Sequence, residues 1–462
     1  MFFNKISIAA LATAAIAAQA ASSAIDADVV VVGGGTSGAY AAVRLSQDFG
    51  KKVLVVEKAS VLGGHANTWY DPATKKPFGY GIDVFDNNTA SVNYFARFNI
   101  ATKAPTSDTS VPISADFTDG TLVNYTAPAS AAAEAAFGRW REQWKRFESL
   151  LLPVGTEFPT GDAIPADLLL PWKDFARKYN LEAFTPRIWT VMGLDVNTAL
   201  VIDVWKAYYP SNGGFVAASG DNREIYFKIR DLLGDSVMYE SEVVSSTRSD
   251  AGVRLVVKHK DGSTSTVSAK RLLVTIGPDT MDKTAFDLDD NETAVLHSTW
   301  GNRCYTGIVS HPSLPAKTIT NTDPAAAGGN FLAYPTTPYL ANFVYRANSS
   351  FGPVFRSLVI AQKETSFQDA QNIVRGSLQR LMDAGTVPKG DVNQLKFEAF
   401  EDHGILYRRW TPEQLRAGII NQANKLQGLR STWYTGAYWM NNNAAMLWNA
   451  TDTILPKMLQ GI

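Results

Sequence analysis

The residues best suited to chemistry lie in one short stretch near the start of the chain. Gly33-Gly34-Gly35-Thr36-Ser37-Gly38 spells G-x-G-x-x-G, and Glu57 follows 19 residues after Gly38. Gly33 permits a tight turn, Gly35 leaves room for a pyrophosphate against the backbone, and Gly38 lets a helix pack closely on the preceding strand. The helix start offers unpaired N–H groups and a partial positive charge to phosphate oxygens, with Ser37 in the same turn. An acid placed like Glu57 accepts hydrogen bonds from ribose hydroxyls. A second pair, Gly63-Gly64, precedes His65 and lets another backbone segment pass close to the pyrophosphate. The predicted chemistry is dinucleotide binding; the competing reading is a purely structural glycine turn.

Those residues need a scaffold, and the flanking sequence supplies one. Ala27–Val32 (ADVVVV) is an apolar run of the kind a buried parallel strand carries. Ala39–Gln47 reads as a helix with small residues toward the sheet, and Lys52–Val56 as a second buried strand that Glu57 ends. Further strands are expected at Val237–Tyr239, Glu242–Val244, Val253–His259, Thr264–Ala269 and Arg271–Ile276, with a turn at Asp261-Gly262. Near the end, Thr411-Pro412-Glu413-Gln414 is a capping box with proline at the first helical position. It predicts a helix to about Gln427, stopped by Gly428. A short strand over Arg430–Thr435, then Gly436, precedes a last helix from Ala444, with Asn441, Asn442 and Asn443 as cap candidates. No second G-x-G-x-x-G follows a strand, so a separate NADPH domain is not expected.

With these pieces in order, Val29–Asn67 resembles the FAD-binding start of the flavin-containing amine oxidase superfamily. The GGHANT variant after Glu57, the leader and the C-terminal TWYTGAYW make it most similar to fungal flavoproteins of the β-cyclopiazonate dehydrogenase (oxidocyclase) type. The resemblance covers 27–85 and recurs at 240–278 and 428–448. The glucose–methanol–choline oxidoreductases share VVGGGTSG, but this chain lacks their Ala-Gly after the acid and their terminal His-His or His-Asn pair.

The resemblance implies FAD, with the adenine held by the backbone of Val243 and the flavin reached by the segment around Gly436. The last helix then directs its N-terminus at the pyrimidine ring, where it stabilises negative charge on the reduced flavin. The acid usual after that glycine is absent; Ala437 and Tyr438 stand there. His65 occupies a position where amine oxidases often carry arginine. It is read as a covalent link to the flavin 8α-methyl, as a charge partner of the cofactor, or as a turn residue. Tyr438 and Trp439 are the preferred pocket-facing aromatics beside Trp433 and Tyr434, and His403 and Tyr407 are weaker candidates for orienting a polar substrate group. The superfamily lysine that holds a water near the flavin is not identifiable, which argues against a simple, rapidly oxygen-reducing amine oxidase.

Between the flavin segments lies material for a second lobe. Phe137, Trp140, Trp144 and Phe147 recur at helical spacing among Arg139, Arg141, Lys145 and Arg146. This is a core-facing cap helix with a solvated face, or a membrane-surface helix. Strands are expected at Phe331–Tyr334, Asn342–Tyr345 and Lys396–Phe400, and a helix over Gln368–Ala384. The fold class is α/β: a discontinuous Rossmann-like FAD-binding domain (27–95, 211–289, 403–462) and a mixed α+β substrate domain (96–210, 290–402).

Composition narrows the function classes. Of 462 residues 45% are hydrophobic and 19% charged, which excludes disorder. Forty-three basic against 44 acidic residues gives no support for nucleic-acid binding. Cys304, the single cysteine, excludes an intrachain disulfide and zinc sites built on several thiolates, and the five histidines show no metal-ligand spacing. Residues 1–20 read as a secretory signal peptide with an Ala18-Gln19-Ala20 cleavage site. Behind it, the sequons at Asn87, Asn124, Asn291, Asn348 and Asn449 are expected on the surface, some glycosylated. No later segment promises a membrane span.

The expected protein is a secreted FAD-dependent oxidoreductase. It takes a hydride from a C–H next to nitrogen or an aromatic ring of a small organic molecule and passes electrons to oxygen or another acceptor. The resemblance points to a natural-product intermediate with oxidative ring closure. The alternatives are a secreted amine or amino-acid oxidase releasing peroxide, and a secreted FAD-binding protein without turnover. The sequence is silent on oligomeric state.

Overall fold

The computed structural model describes residues 24–106, 110–192, 195–211 and 213–462, so the expected signal peptide lies outside the described residues. The valine run forms β1 (Ala24–Val32). Val29 and Val31 enter one core and Val30 and Val32 another, so both faces are buried and the run does not alternate. α1 (Thr36–Val43) leaves its end, and β2 (Val53–Val56) returns parallel to β1.

The sheet is completed by two later returns of the chain. The first brings β3 (Val237–Met238), β4 (Ser241–Ser249), β5 (Gly252–His259) and β6 (Thr264–Val274). Thr264–Ala269 and Arg271–Ile276, expected as two strands, form the single β6 and its exit. The second sheet starts with β7 (Trp300–Ser310), β8 (Ile319–Asn321), β9 (Tyr339–Ser349), β10 (Gly352–Ala361) and β11 (Lys396–Arg409); the last return to the first sheet is β12 (Thr432–Tyr434). In the first sheet the order is β4-β5-β6-β1-β2-β3, with β12 parallel to the end of β6. β3, β2, β1, β6 and β12 run parallel, while β4 and β5 form an antiparallel meander on β6. Three separated stretches of chain thus build one Rossmann-like sheet.

The second sheet is six-stranded, ordered β11-β7-β10-β9-β8 and ending on the short strand Ile113–Ala115. β11 runs on to Arg409 against Trp300 of β7, so a lobe boundary at 402 cuts a strand and the return to the first sheet begins after it. Phe331–Tyr334, expected as a strand, is turn and coil.

Helices cover both sheets: α2 (Thr89–Arg97), α3 (Ser130–Arg146), α4 (Glu224–Leu233), α5 (Asp290–Leu296), α6 (Phe367–Asp383), α7 (Pro412–Arg416), α8 (Ile419–Asn424) and α9 (Ala444–Met458). In α3, Phe137, Trp140 and Trp144 are buried, as is Phe147 at its end, while Arg139, Lys145 and Arg146 are exposed. This is the core-facing cap helix. The capping box forms at Thr411 and Gln414, but the expected long helix breaks into α7 and α8 at Gly418, whose left-handed backbone ends the first piece. Among the described residues no helix is long and apolar enough to cross a membrane.

Candidate functional site

The glycines at the β1–α1 turn differ in what they leave room for. A Cβ on Gly38 would stand 1.8 Å from the carbonyl oxygen of Gly33, so α1 can approach the strand end only with glycine there. A Cβ on Gly35 would meet nothing nearer than the Cα of Gly64, at 3.7 Å. The space it would enter is the cradle between the two glycine segments, which bridge at Gly35 and Gly63 and through Gly63 N–H to the Gly34 carbonyl at 2.9 Å. No side chain caps the start of α1, so the N–H groups of its first turn point into that cradle unclaimed by a cap.

The other walls come from all three stretches of the chain that build this sheet. The Glu57 carboxylate accepts from the N–H of Gly34 at 2.5 Å and of Ala59 at 2.7 Å, which fixes it at the end of β2. Val243 is half-buried on β4, close in sequence to Ser241, whose N–H bonds the Glu57 carbonyl. Thr275 donates its hydroxyl to the Val32 and Gly33 carbonyls. The Cβ of a substituted Gly436 would lie 3.1 Å from the Thr275 carbonyl oxygen and 3.9 Å from Ser37 Oγ. α9 is capped by Asn443, which accepts from Met446 N–H, and the Trp448 indole in its second turn donates to the Thr36 carbonyl at 3.3 Å. Two helix N-termini, those of α1 and α9, therefore meet at one end of the parallel sheet, where an α/β fold places its ligand. A dinucleotide's phosphates fit this cradle: backbone donors, open space at Gly35 and a fixed acid beyond.

A family model described as an NAD(P)-binding Rossmann-like domain matches residues 31–98. The FAD-dependent oxidoreductase dbaF of Emericella nidulans is 33% identical over 486 residues, spanning 99% of this chain and 96% of that protein. The chain belongs to that family of FAD-dependent oxidoreductases. Beta-cyclopiazonate dehydrogenase of Aspergillus oryzae is 28% identical, covering 94% of this chain and 93% of that one. Among solved structures, a CLA-producing fatty acid isomerase from P. acnes superposes with TM-score 0.73 at 12% identity, over 94% of this chain and 99% of that one. Putrescine oxidase bound to putrescine superposes with TM-score 0.60 at 14% identity, over 94% and 100%. These two speak to the fold alone.

In this oxidoreductase the second sheet touches the Rossmann-like lobe beside the second glycine pair. His403, on β11, stacks its ring on His65 with centroids 4.2 Å apart and planes within 6°. Nε2 of His403 lies 2.9 Å from Asn67 Oδ1, so that nitrogen carries the proton and Nδ1 keeps the lone pair. Burial, with the Lys58 ammonium nearby, pushes the His65 imidazole down to about 4. Burial and the facing His65 hold His403 well below its ordinary range. Both rings are neutral at pH 7, which gives no support to His65 as a cationic partner of the cofactor.

Next to this pair, Gly81 passes so close that a Cβ would stand 1.8 Å from the His65 carbonyl oxygen. Two residues on, Asp83 receives the guanidinium groups of both Arg346 and Arg356 from β9 and β10. This clamp, with Asn67, Thr275 and Tyr226 (whose hydroxyl bonds Thr36 Oγ1 at 2.8 Å), escaped the sequence reading. Asn67 lies in the GGHANT segment, but nothing local marks its partner His403; the others belong to no spaced motif and are brought in by the fold.

Of the aromatic candidates, Tyr438 requires correction. Tyr438 is 4% exposed and its hydroxyl donates to the Val295 carbonyl at 2.8 Å, inside the core shared with Trp410 and Trp439. Its polar end is already bonded to backbone, so it is a packing residue rather than a pocket-facing one. Trp439 is 9% exposed and packs against Tyr434 and Tyr438. Tyr407 has a positive φ of 47°, with its N–H bonded to Asn442, one of the three asparagines before α9. Cys304 is buried, and burial pushes its thiol up to about 12, so it is inert packing.

Proposed function

We propose that this FAD-dependent oxidoreductase takes a hydride from a carbon next to nitrogen or an aromatic ring of a small natural-product intermediate, and that an internal nucleophile then closes a ring. FAD supplies the hydride-accepting centre when bound. The protein's part is to hold the reacting C–H against it and to manage the proton released. The observation that carries the reading is the His65–His403 contact, where the substrate sheet meets the cofactor lobe and leaves a neutral imidazole with a free Nδ1. Such a group accepts a proton from an N–H or O–H as the substrate is oxidised. Full-length similarity to beta-cyclopiazonate dehydrogenase supports the choice of substrate class.

The second reading, a secreted amine or amino-acid oxidase releasing peroxide, draws only on the shared fold of putrescine oxidase. Anaerobic mixing decides between them. Bleaching of the oxidised-flavin absorbance by aryl-substituted N-heterocycles but not by simple amines supports the first reading. Bleaching by simple amines, with stoichiometric peroxide in air, supports the second. No bleaching by either class leaves only a binding protein.

His65 is proposed as the point of covalent attachment to the flavin 8α-methyl, because a neutral imidazole retains the lone pair that such a bond needs. Flavin colour remaining in the acid-precipitated pellet of the wild type, and lost from that of His65→Ala, is the expected result. Colour in the wild-type supernatant removes the link. The protein is further proposed to be secreted and glycosylated, on its leader-like residues 1–20 and on five sequon asparagines that are all exposed.

A further inference from the structure

A sequence motif and a cavity that the oxidoreductase site leaves unused coincide at one residue. Asn87, of the Asn87-Asn88-Thr89 sequon, lies on the wall of a cavity of about 640 Å³ between the start of α2 and the second half of α3. Neither Asn124, Asn291, Asn348 nor Asn449 lines this cavity or the 420 Å³ cavity beside α6. The Asn87 N–H bonds the Gly213 carbonyl at 3.0 Å, which anchors the backbone of this exposed residue at the cavity wall.

The lining suits a sugar better than an apolar ligand or a simple ion. Asn93 and Thr89 offer an amide and a hydroxyl, and Arg141, Lys145 and Glu148, spaced along α3 and the turn after it, add groups of both signs with one positive charge in excess. Tyr209 is half-buried, with an apolar body on which the C–H face of a pyranose can rest. Its ring is held edge-on to Trp144, which stacks on Trp205 at 4.3 Å, so this wall is rigid.

We infer that Asn87 carries an N-linked glycan whose first N-acetylglucosamine residues lie in this cavity. The inference rests on the proposed secretory route. There, a lipid-pyrophosphate oligosaccharide donor meets the unfolded chain. The Asn87 side-chain nitrogen bonds the sugar C1 and loses a proton, the lipid pyrophosphate leaves, and nothing is oxidised or reduced. Folding then lays the sugars against Tyr209.

The full chain, with its own leader, is to be produced in a yeast secretory host and its glycopeptides mapped by mass spectrometry. The map is repeated after digestion with a peptide-N-glycanase on native and on denatured protein. The expected result is an occupied Asn87 whose native release is at least about tenfold slower than that of Asn124, which corresponds to about 1.4 kcal/mol of seating. Equal rates after denaturation complete that result. Tyr209→Ser, with its flavin absorbance intact, is expected to bring native release at Asn87 toward the Asn124 rate. A secreted protein glycosylated elsewhere but bare at Asn87 overturns this inference alone, and so does an Asn87 glycan released natively as fast as that of Asn124. A chain retained in the cells with no sequon occupied overturns the secretory reading and, with it, this one.

Discussion

The phosphate cradle and the joint between the lobes are built by opposite means. The cradle is backbone: its shape comes from glycines at which a Cβ would strike the Gly33 carbonyl or fill the space beside Gly64. The joint is side chain: two imidazoles stacked across it and one carboxylate between two guanidinium groups. Backbone sites fail abruptly when an atom is added. Side-chain sites fail by degrees, according to which partner is left uncompensated.

The sharpest test of that contrast lies within the cradle. Gly38→Ala forces α1 away from the Gly33 oxygen, and we expect a loss of more than about 3 kcal/mol together with loss of FAD. Gly35→Ala meets only ordinary contact in the protein, so apoprotein stability should change by less than about 0.5 kcal/mol while bound FAD falls, and Gly35→Asp should abolish it. Urea midpoints of the apoproteins, set beside the flavin-to-protein absorbance ratio, check the pair. A Gly35→Ala protein that retains full flavin shows that the pyrophosphate does not approach there.

Across the joint the effects should be smaller and graded. Asp83→Ala leaves Arg346 and Arg356 facing each other, and the Nε of each is already buried without a hydrogen-bond partner. The expected cost is about 1–3 kcal/mol, below that of a fully buried pair because all three side chains keep some contact with water. Asp83→Asn should cost less, and the further change Arg346→Met should recover part of the loss. A urea midpoint unmoved by Asp83→Ala would mean the clamp contributes nothing measurable.

Tyr438→Phe separates packing from catalysis. It deletes one neutral hydrogen bond, to the Val295 carbonyl, and should cost about 1 kcal/mol with flavin reduction by substrate unchanged. A large fall in reduction rate with stability intact would return Tyr438 to the pocket.

The same contrast explains how much was legible in the sequence. Glycine spacing, the valine run and the acid at Glu57 act locally, so the cradle can be read from residues 27–64 without knowing what lies far away. The capping box at Thr411 and the Asn443 cap were readable for the same reason. Asp83 lies more than 250 residues along the chain from both Arg346 and Arg356, and no local pattern marks them. The pairing of His65 with His403 depends on β11 extending past residue 402. Tyr438 was misplaced because an aromatic beside a glycine turn reads the same whether its hydroxyl meets a ligand or a backbone carbonyl.

The smallest expected effect tests whether the stacked histidines are neutral. Burial holds His65 at about 4, against an ordinary value near 6.5 in the unfolded chain. Between those values the unfolded state binds the proton and the folded state does not, so this group's contribution is fully present above pH 6.5. It is lost as pH falls toward 4. His403 is depressed in the same direction and adds to the loss. Other carboxylates also titrate there, so the informative quantity is a difference. The urea midpoint of wild type should fall more steeply from pH 6.5 to 4.5 than that of the double variant His65→Gln, His403→Gln. Parallel slopes would mean that the folded and unfolded chains take up these protons alike, so that burial does not depress the two imidazoles.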